Sequence, residues 1–273
     1  MSAERRTMDR EEARRLLDWY VGIGVDEATS AVAVDRFVVP PAAPPVRTAP
    51  ARRPSPVPAR PAAALEDAMT LAAGASSLAE LVGVINAFDG CPLKRTATTT
   101  CIADGNAQAS IMIIGEAPGA EEDRQGKPFV GPAGKLLDRM LAAIGLDRTH
   151  VYITNTLYWR PPGNRTPTPE EIAVCLPFLE RQVELLSPRL LVYAGGTAVR
   201  AMFDTAPGEG ITRLRGRWLR LEREGREPVP AIAMFHPAYL LRQPLRKRES
   251  WRDLLAIRQR MEELGIAPGM PTV

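Results

Sequence analysis

The sequence predicts an α/β protein, a three-layer α/β/α sandwich around a short central parallel sheet. Two observations carry that reading. From about Ala63 onward, short apolar runs alternate with longer segments of helical periodicity. The runs, such as SIMIIG and LLVYA, are almost wholly apolar, as expected of strands covered on both faces. The chain has 273 residues, 45% hydrophobic and 25% charged, which is enough for a full core and excludes disorder throughout.

Taken in order, the first segment, residues 1–38, holds one short amphipathic helix from Asp9 to Gly22. Asp9 suits its N-cap, Glu11 and Glu12 its first turn, and Leu16, Leu17, Trp19 and Tyr20 its apolar side. A lone helix of that length is marginal in water, so it is expected to dock on the body of the protein or on a partner. Residues 39–62 read as a linker. Nine of the 26 prolines fall between Pro40 and Pro61, with Arg47, Arg52, Arg53 and Arg60 and no acid. Such a stretch is extended, semi-rigid and basic. Without its four charges the net +3 of the chain falls to about −1, so polyanion binding must come from a local patch.

The third segment, residues 63–273, carries the alternation. Helices are expected at Leu78–Phe88, Ala133–Ile144, Glu170–Leu186, after Gly196, and at Ser250–Leu264. Strands are expected at Ser110–Gly115, Val151–Asn155, Leu190–Ala194 and Ala231–Phe235. No run approaches a membrane span and the N-terminus is charged, which predicts a soluble, cytoplasmic protein. Three cysteines at irregular spacing and two histidines argue against a disulfide framework or a closed zinc site.

Parallel sheets place ligands beyond the carboxyl ends of their strands. Three such ends carry unusual segments: Gly115-Glu116-Ala117-Pro118-Gly119, Asn155 followed by RPPGNRTPTPEE, and His236-Pro237-Ala238-Tyr239-Leu240-Leu241-Arg242. No GxGxxG or GxxxxGK[ST] loop follows any strand, which disfavours a nucleotide-binding module with a basic tether.

GEAPG…EEDRQGKPFVGPAG, VYITN…RPPGNRTPTPEE, ITRLRGRW and HPAYLLR together resemble the family-4 branch of the uracil-DNA glycosylase superfamily, over roughly Phe88 to Leu264. The resemblance implies the corresponding fold and a repair enzyme that flips uracil out of DNA and hydrolyses its N-glycosidic bond, leaving an abasic site. It implies that Phe129 is the stacking aromatic and that His236 donates to the O2 of the leaving base. Glu116 and Asn164 fall on the water side of the sugar, and Glu122 on the wall near C5 that excludes thymine. Asn155 suits uracil itself, because one amide held in a single orientation accepts from N3–H and donates to O4. Ala117, in the substrate-binding loop, stands where the best-known members of the superfamily have an aspartate. That favours support of the sugar cation and water positioning over full general-base catalysis.

DNA contacts are expected from Arg213, Arg215 and Arg217, and from Arg242, Arg246, Lys247 and Arg248, with Leu240 and Leu241 as the wedge entering the base stack. His150, at the opposite strand edge, reads as structural. The expected partner is thus uracil-containing DNA and not a membrane, and the N-terminal helix is expected to dock on the body or on a repair or replication protein.

Family-4 members carry a four-iron cluster on four cysteines. Cys91 and Cys175 match the second and fourth, whereas Phe88 and Trp159 stand at the other two. Two ligands do not hold such a cluster, so none is expected and no other cofactor is implied. Phe88 and Trp159 are expected to fill that volume. An alternative function follows: a protein that binds or covalently traps uracil-containing DNA with little turnover.

Overall fold

The computed structural model describes residues 9–14, 16, 61–203, 205, 209–223 and 225–267. The chain divides into two compact units, Met1–Val57 and Pro58–Val273. In the first, residues 10–14 and 16 are helical (α1). Asp9 Oδ1 accepts from the amides of Glu11 and Glu12, both at 2.8 Å, as the cap reading expected. The rest of the expected helix to Gly22, and the linker up to Arg60, lie outside the described residues.

The second unit is built on a six-stranded sheet of order β1-β3-β2-β4-β6-β5. The strands are β1 (Ala103–Gly105), β2 (Ile111–Gly115), β3 (Val151–Asn155), β4 (Leu190–Ala194), β5 (Trp218–Arg223) and β6 (Arg226–Met234). The four inner strands run parallel, while β1 lies antiparallel to β3 and β5 antiparallel to β6. The parallel centre agrees with the sequence reading. The two antiparallel edges were not foreseen: β1 has three residues, and WLRLER in β5 is only half-buried.

The helices are α2 (Pro61–Gly74), α3 (Leu78–Ala87), α4 (Ala120–Gln125), α5 (Pro132–Ala142), α6 (Pro169–Leu186), α7 (Gly196–Met202), α8 (Ile211–Leu214), α9 (Pro237–Arg242) and α10 (Lys247–Glu263). Side chains alternate across the strands. Ile111, Ile113, Ile153 and Val192 therefore pack with Leu137, Leu240, Leu254 and Ile257 from α5, α9 and α10. Met112, Ile114, Leu191 and Tyr193 pack the opposite face with Leu179, Val183 and Val199 from α6 and α7. That arrangement gives the three layers. A third cluster, beneath α2, α3 and α6, gathers Leu81, Ile85, Phe88, Cys91, Trp159, Cys175 and Phe178.

Helix starts follow their sequence signals. Thr168 and Glu171 cap α6 reciprocally, with Pro169 at its first position, and Ser77 accepts from Glu80 N at the start of α3. No described helix is long and apolar enough to cross a membrane.

Candidate active site

The ends of β2 and β3 are adjacent in register, Gly115 beside Asn155, and β6 delivers Phe235 and His236 at the same edge of the sheet. The loops that follow enclose a cavity of about 480 Å³ whose walls include Glu116, Ala117, Phe129, Asn155, Asn164 and His236. Glu122, Arg165 and Arg242 also border it. Three distant segments therefore converge on one space.

Gly115 is what lets them meet. A Cβ there would lie 2.3 Å from Asn155 Oδ1 and 2.6 Å from Phe129 Cζ, so any larger residue displaces the amide and the ring together. Asn155 is 2% exposed, and its carboxamide makes no hydrogen bond to a described residue. Its donor and acceptor open onto the cavity, where a ligand can use both.

The Phe129 and His236 rings lie face to face, centroids 5.4 Å apart at 26°. His236 caps α9, its Nδ1 accepting from Ala238 N at 3.1 Å. An accepting Nδ1 carries no proton, which places the hydrogen of the neutral ring on Nε2. Burial and the nearby Arg242 charge push the His236 pKa down to about 4, against a smaller opposing pull from Glu122. The imidazole is therefore neutral at ordinary pH.

Glu122 borders the cavity, but its carboxylate is spent on the backbone. It accepts from Gly119 N (3.2 Å), Val130 N (3.0 Å) and Gly131 N (2.9 Å), tying the GEAPG loop to the KPFVG loop. Asn164 sits at φ 54°, its Oδ1 accepting from Arg160 Nε at 2.7 Å, which leaves the amide NH₂ free to face outward. Arg165 forms a two-point pair with Glu171, at 2.6 and 2.9 Å. His150 is tied to Asp147 Oδ1 at 2.6 Å at the opposite edge of the sheet and takes no part.

The expected DNA contacts divide. Arg213, Arg242, Lys247 and Arg248 are exposed and have no ion-pair partner among the described residues. Arg217 pairs with Glu209 and Arg246 with Glu249, each at 2.6 Å at the surface. Two expectations are corrected. Arg215 binds the buried Asp253 and lies over the Phe235 ring, so its charge is consumed inside the fold. Leu240 is 1% exposed and packs in the core, because α9 turns that position inward while Leu241 stays 40% exposed. The apolar residue that does project is Leu245, 94% exposed, between Arg242 and Arg246. An apolar side chain within the basic run QPLRKR was the signal available for it.

A model of the Uracil DNA glycosylase superfamily matches residues 102–255. The chain is 44% identical to the type-4 uracil-DNA glycosylase of Archaeoglobus fulgidus over 183 residues, 66% of this chain and 92% of that protein. It is 44% identical over 155 residues to the type-4 uracil-DNA glycosylase of Thermotoga maritima, 56% of this chain and 77% of that one. With the type-4 enzyme of Pyrobaculum aerophilum the identity is 37% over 179 residues, covering 65% and 91%.

These relatives correct the cofactor expectation. Substitution of two of the four cysteines predicted no cluster, yet the chain falls among type-4 glycosylases, the group for which the resemblance implies one. The expected absence is therefore withdrawn. At that place the structure has the Cys91 and Cys175 thiols, both fully buried, whose mutual interaction holds the Cys91 pKa down and pushes the Cys175 pKa up. Phe88 packs edge-on against Phe178 at 5.0 Å, and Trp159 Nε1 donates to Thr100 Oγ1 at 3.2 Å. Among the described residues no group of three or more His, Cys, Asp or Glu side chains is placed to hold a metal. Two thiols do not make the four-cysteine donor set.

Six parallel-centred strands, a cavity at their carboxyl ends, and identity that spans nearly the whole of the archaeal relatives place this chain in the uracil-DNA glycosylase superfamily, on its type-4 side.

Proposed function

We propose that the protein removes uracil from DNA by hydrolysing its N-glycosidic bond, with Phe129, Asn155, His236 and Glu116 dividing the work. The observation that carries this reading is their convergence on one cavity from three segments of chain.

A base within a duplex is out of reach, so the nucleotide swings out at a cost of a few kcal/mol. Stacking on Phe129 returns about 1–3 kcal/mol of it. The unpartnered Asn155 amide accepts from N3–H and donates to O4, whereas cytosine presents the reverse pattern and leaves both groups unsatisfied. As the C1′–N1 bond breaks, its electron pair passes to the base and charge gathers at O2. The neutral His236 offers Nε2–H there, and a donor so aimed is worth about 2.7–4 kcal/mol of barrier. The sugar becomes cation-like. Glu116 supports that charge and holds the water that adds to C1′, with the Asn164 amide beside it. One proton of that water goes to the departing base, which leaves uracil and an abasic site.

Arg213, Arg242, Lys247 and Arg248 hold phosphates, which makes binding fall steeply with salt. Leu245, with Leu241 behind it, fills the gap left in the stack.

The test is a uracil-containing oligonucleotide incubated with the protein and then treated with alkali. Strand scission at the uracil is expected. A retarded but intact strand would instead establish the binding or trapping alternative, and no effect would refute both.

A further inference from the structure

We propose that Arg148 is a positioning residue that, opposite Glu122, clamps the Phe129 peptide and so sets the stacking wall of the pocket. The inference rests on Phe129 being the platform for the base. Phe129 has φ 54°, in the left-handed region that a bulky side chain adopts only when its surroundings force it.

Those surroundings are specific. Arg148, with a quarter of its side chain exposed, spreads its guanidinium over four acceptors. Nη2 donates to the Phe129 carbonyl, Nη1 to Pro128 O at 3.3 Å and to Asp104 Oδ2 at 2.6 Å, and Nε to Asp138 Oδ1 at 2.8 Å. On the other side of the same loop Glu122 Oε1 takes the Val130 and Gly131 amides. The carbonyl of Phe129 is thus gripped by a cation, and the two amides after it by an anion. Gly134 seals the arrangement: a Cβ there would lie 1.6 Å from the Phe129 oxygen, so only glycine lets α5 begin so close.

The chemistry demands arginine. Its planar fork carries five donors in fixed directions, and here three nitrogens serve two carboxylates and two carbonyls at once. Burial works against the charge, and Asp104 and Asp138 more than offset it. A lysine would keep the charge and reach a carboxylate, but it would not hold the carbonyls and both acids together. Arg148→Lys therefore separates the clamp from the ion pair.

Free uracil reads the platform without DNA. Inhibition by free uracil should weaken about tenfold in Arg148→Lys, equivalent to about 1.4 kcal/mol. Its kcat/KM on uracil-containing DNA should fall with it, while affinity for a uracil-free strand stays unchanged. Asp138→Ala, which removes one arm at the surface, should give a smaller shift in the same direction and serves if Arg148→Lys does not fold. Unchanged uracil inhibition in whichever variant folds overturns the clamp. Failure of the underlying reading looks different: the unaltered protein would not be inhibited by uracil, or Phe129→Ala would be inhibited as strongly as the unaltered protein.

Discussion

The pocket at the strand ends and the aromatic cluster beneath α2, α3 and α6 are both buried, yet they are built on opposite terms. In the cluster every valence is used. Trp159, Tyr158 and Phe178 are 1%, 0% and 0% exposed, Trp159 Nε1 has Thr100, and the Tyr158 hydroxyl reaches Gln182 Oε1 at 3.4 Å. In the pocket valences are withheld: the Asn155 amide is unpartnered, and Phe129 and Asn164 both sit at φ 54°. For a bulky residue such as Phe129 that backbone costs of order 1–3 kcal/mol, whereas asparagine adopts it readily. The difference teaches where stability and chemistry reside in this chain. One region spends its interactions on the fold, and the other keeps them for a ligand and is held in place from outside.

That contrast can be broken from either side. The largest effect belongs to the cluster: Trp159→Ala should cost about 3–5 kcal/mol in denaturant unfolding while the excision rate of the folded fraction is retained. A stable Trp159→Ala protein would show that the cluster is not spent on the fold. His236→Ala should do the reverse, slowing single-turnover excision by about 2.7–4 kcal/mol with little change in melting temperature. Asn155→Asp replaces a donor–acceptor pair by acceptors alone and should cost about 1–3 kcal/mol in kcat/KM for uracil; an unaltered rate would remove it from recognition. Leu245→Ala should have a smaller effect, about 1 kcal/mol on duplex substrate, and less on single strands, where no stack needs filling.

The smallest expected effect is a null one. Because His236 is held neutral down to about pH 4, its titration should leave no acid limb near pH 6.5 in the excision rate. Stability behaves otherwise. Between about pH 6.5 and 4 the unfolded chain takes up a proton that folded His236 refuses, so unfolding free energy should drop across that window and level off below it. A His236 resonance titrating near 6.5 would contradict both statements.

Much of this was legible in the sequence, for identifiable reasons. β3 and β4 begin and end where the sequence places them, since both are buried on both faces and carry little polar alternation. Phe129 and His236 were picked out through the family resemblance, Asn155 by the fit of its amide to uracil at the end of a strand, and all three line one cavity. β5 was not legible, because WLRLER alternates and reads equally as a basic loop. Leu240 was misread because an apolar pair beside a basic run does not tell which of the two a helix turns inward. Arg148 left no local trace: it stands 19 positions from the carbonyl it holds, and only the folded chain brings them together.

The two antiparallel strands have a further consequence. A parallel sheet with open flanks invites a neighbouring chain to add a strand, the usual route to aggregation. Here one flank is three residues long and the other loses register between Leu221 and Arg223, with Glu222 exposed in between. Neither offers a flat ladder for recruitment.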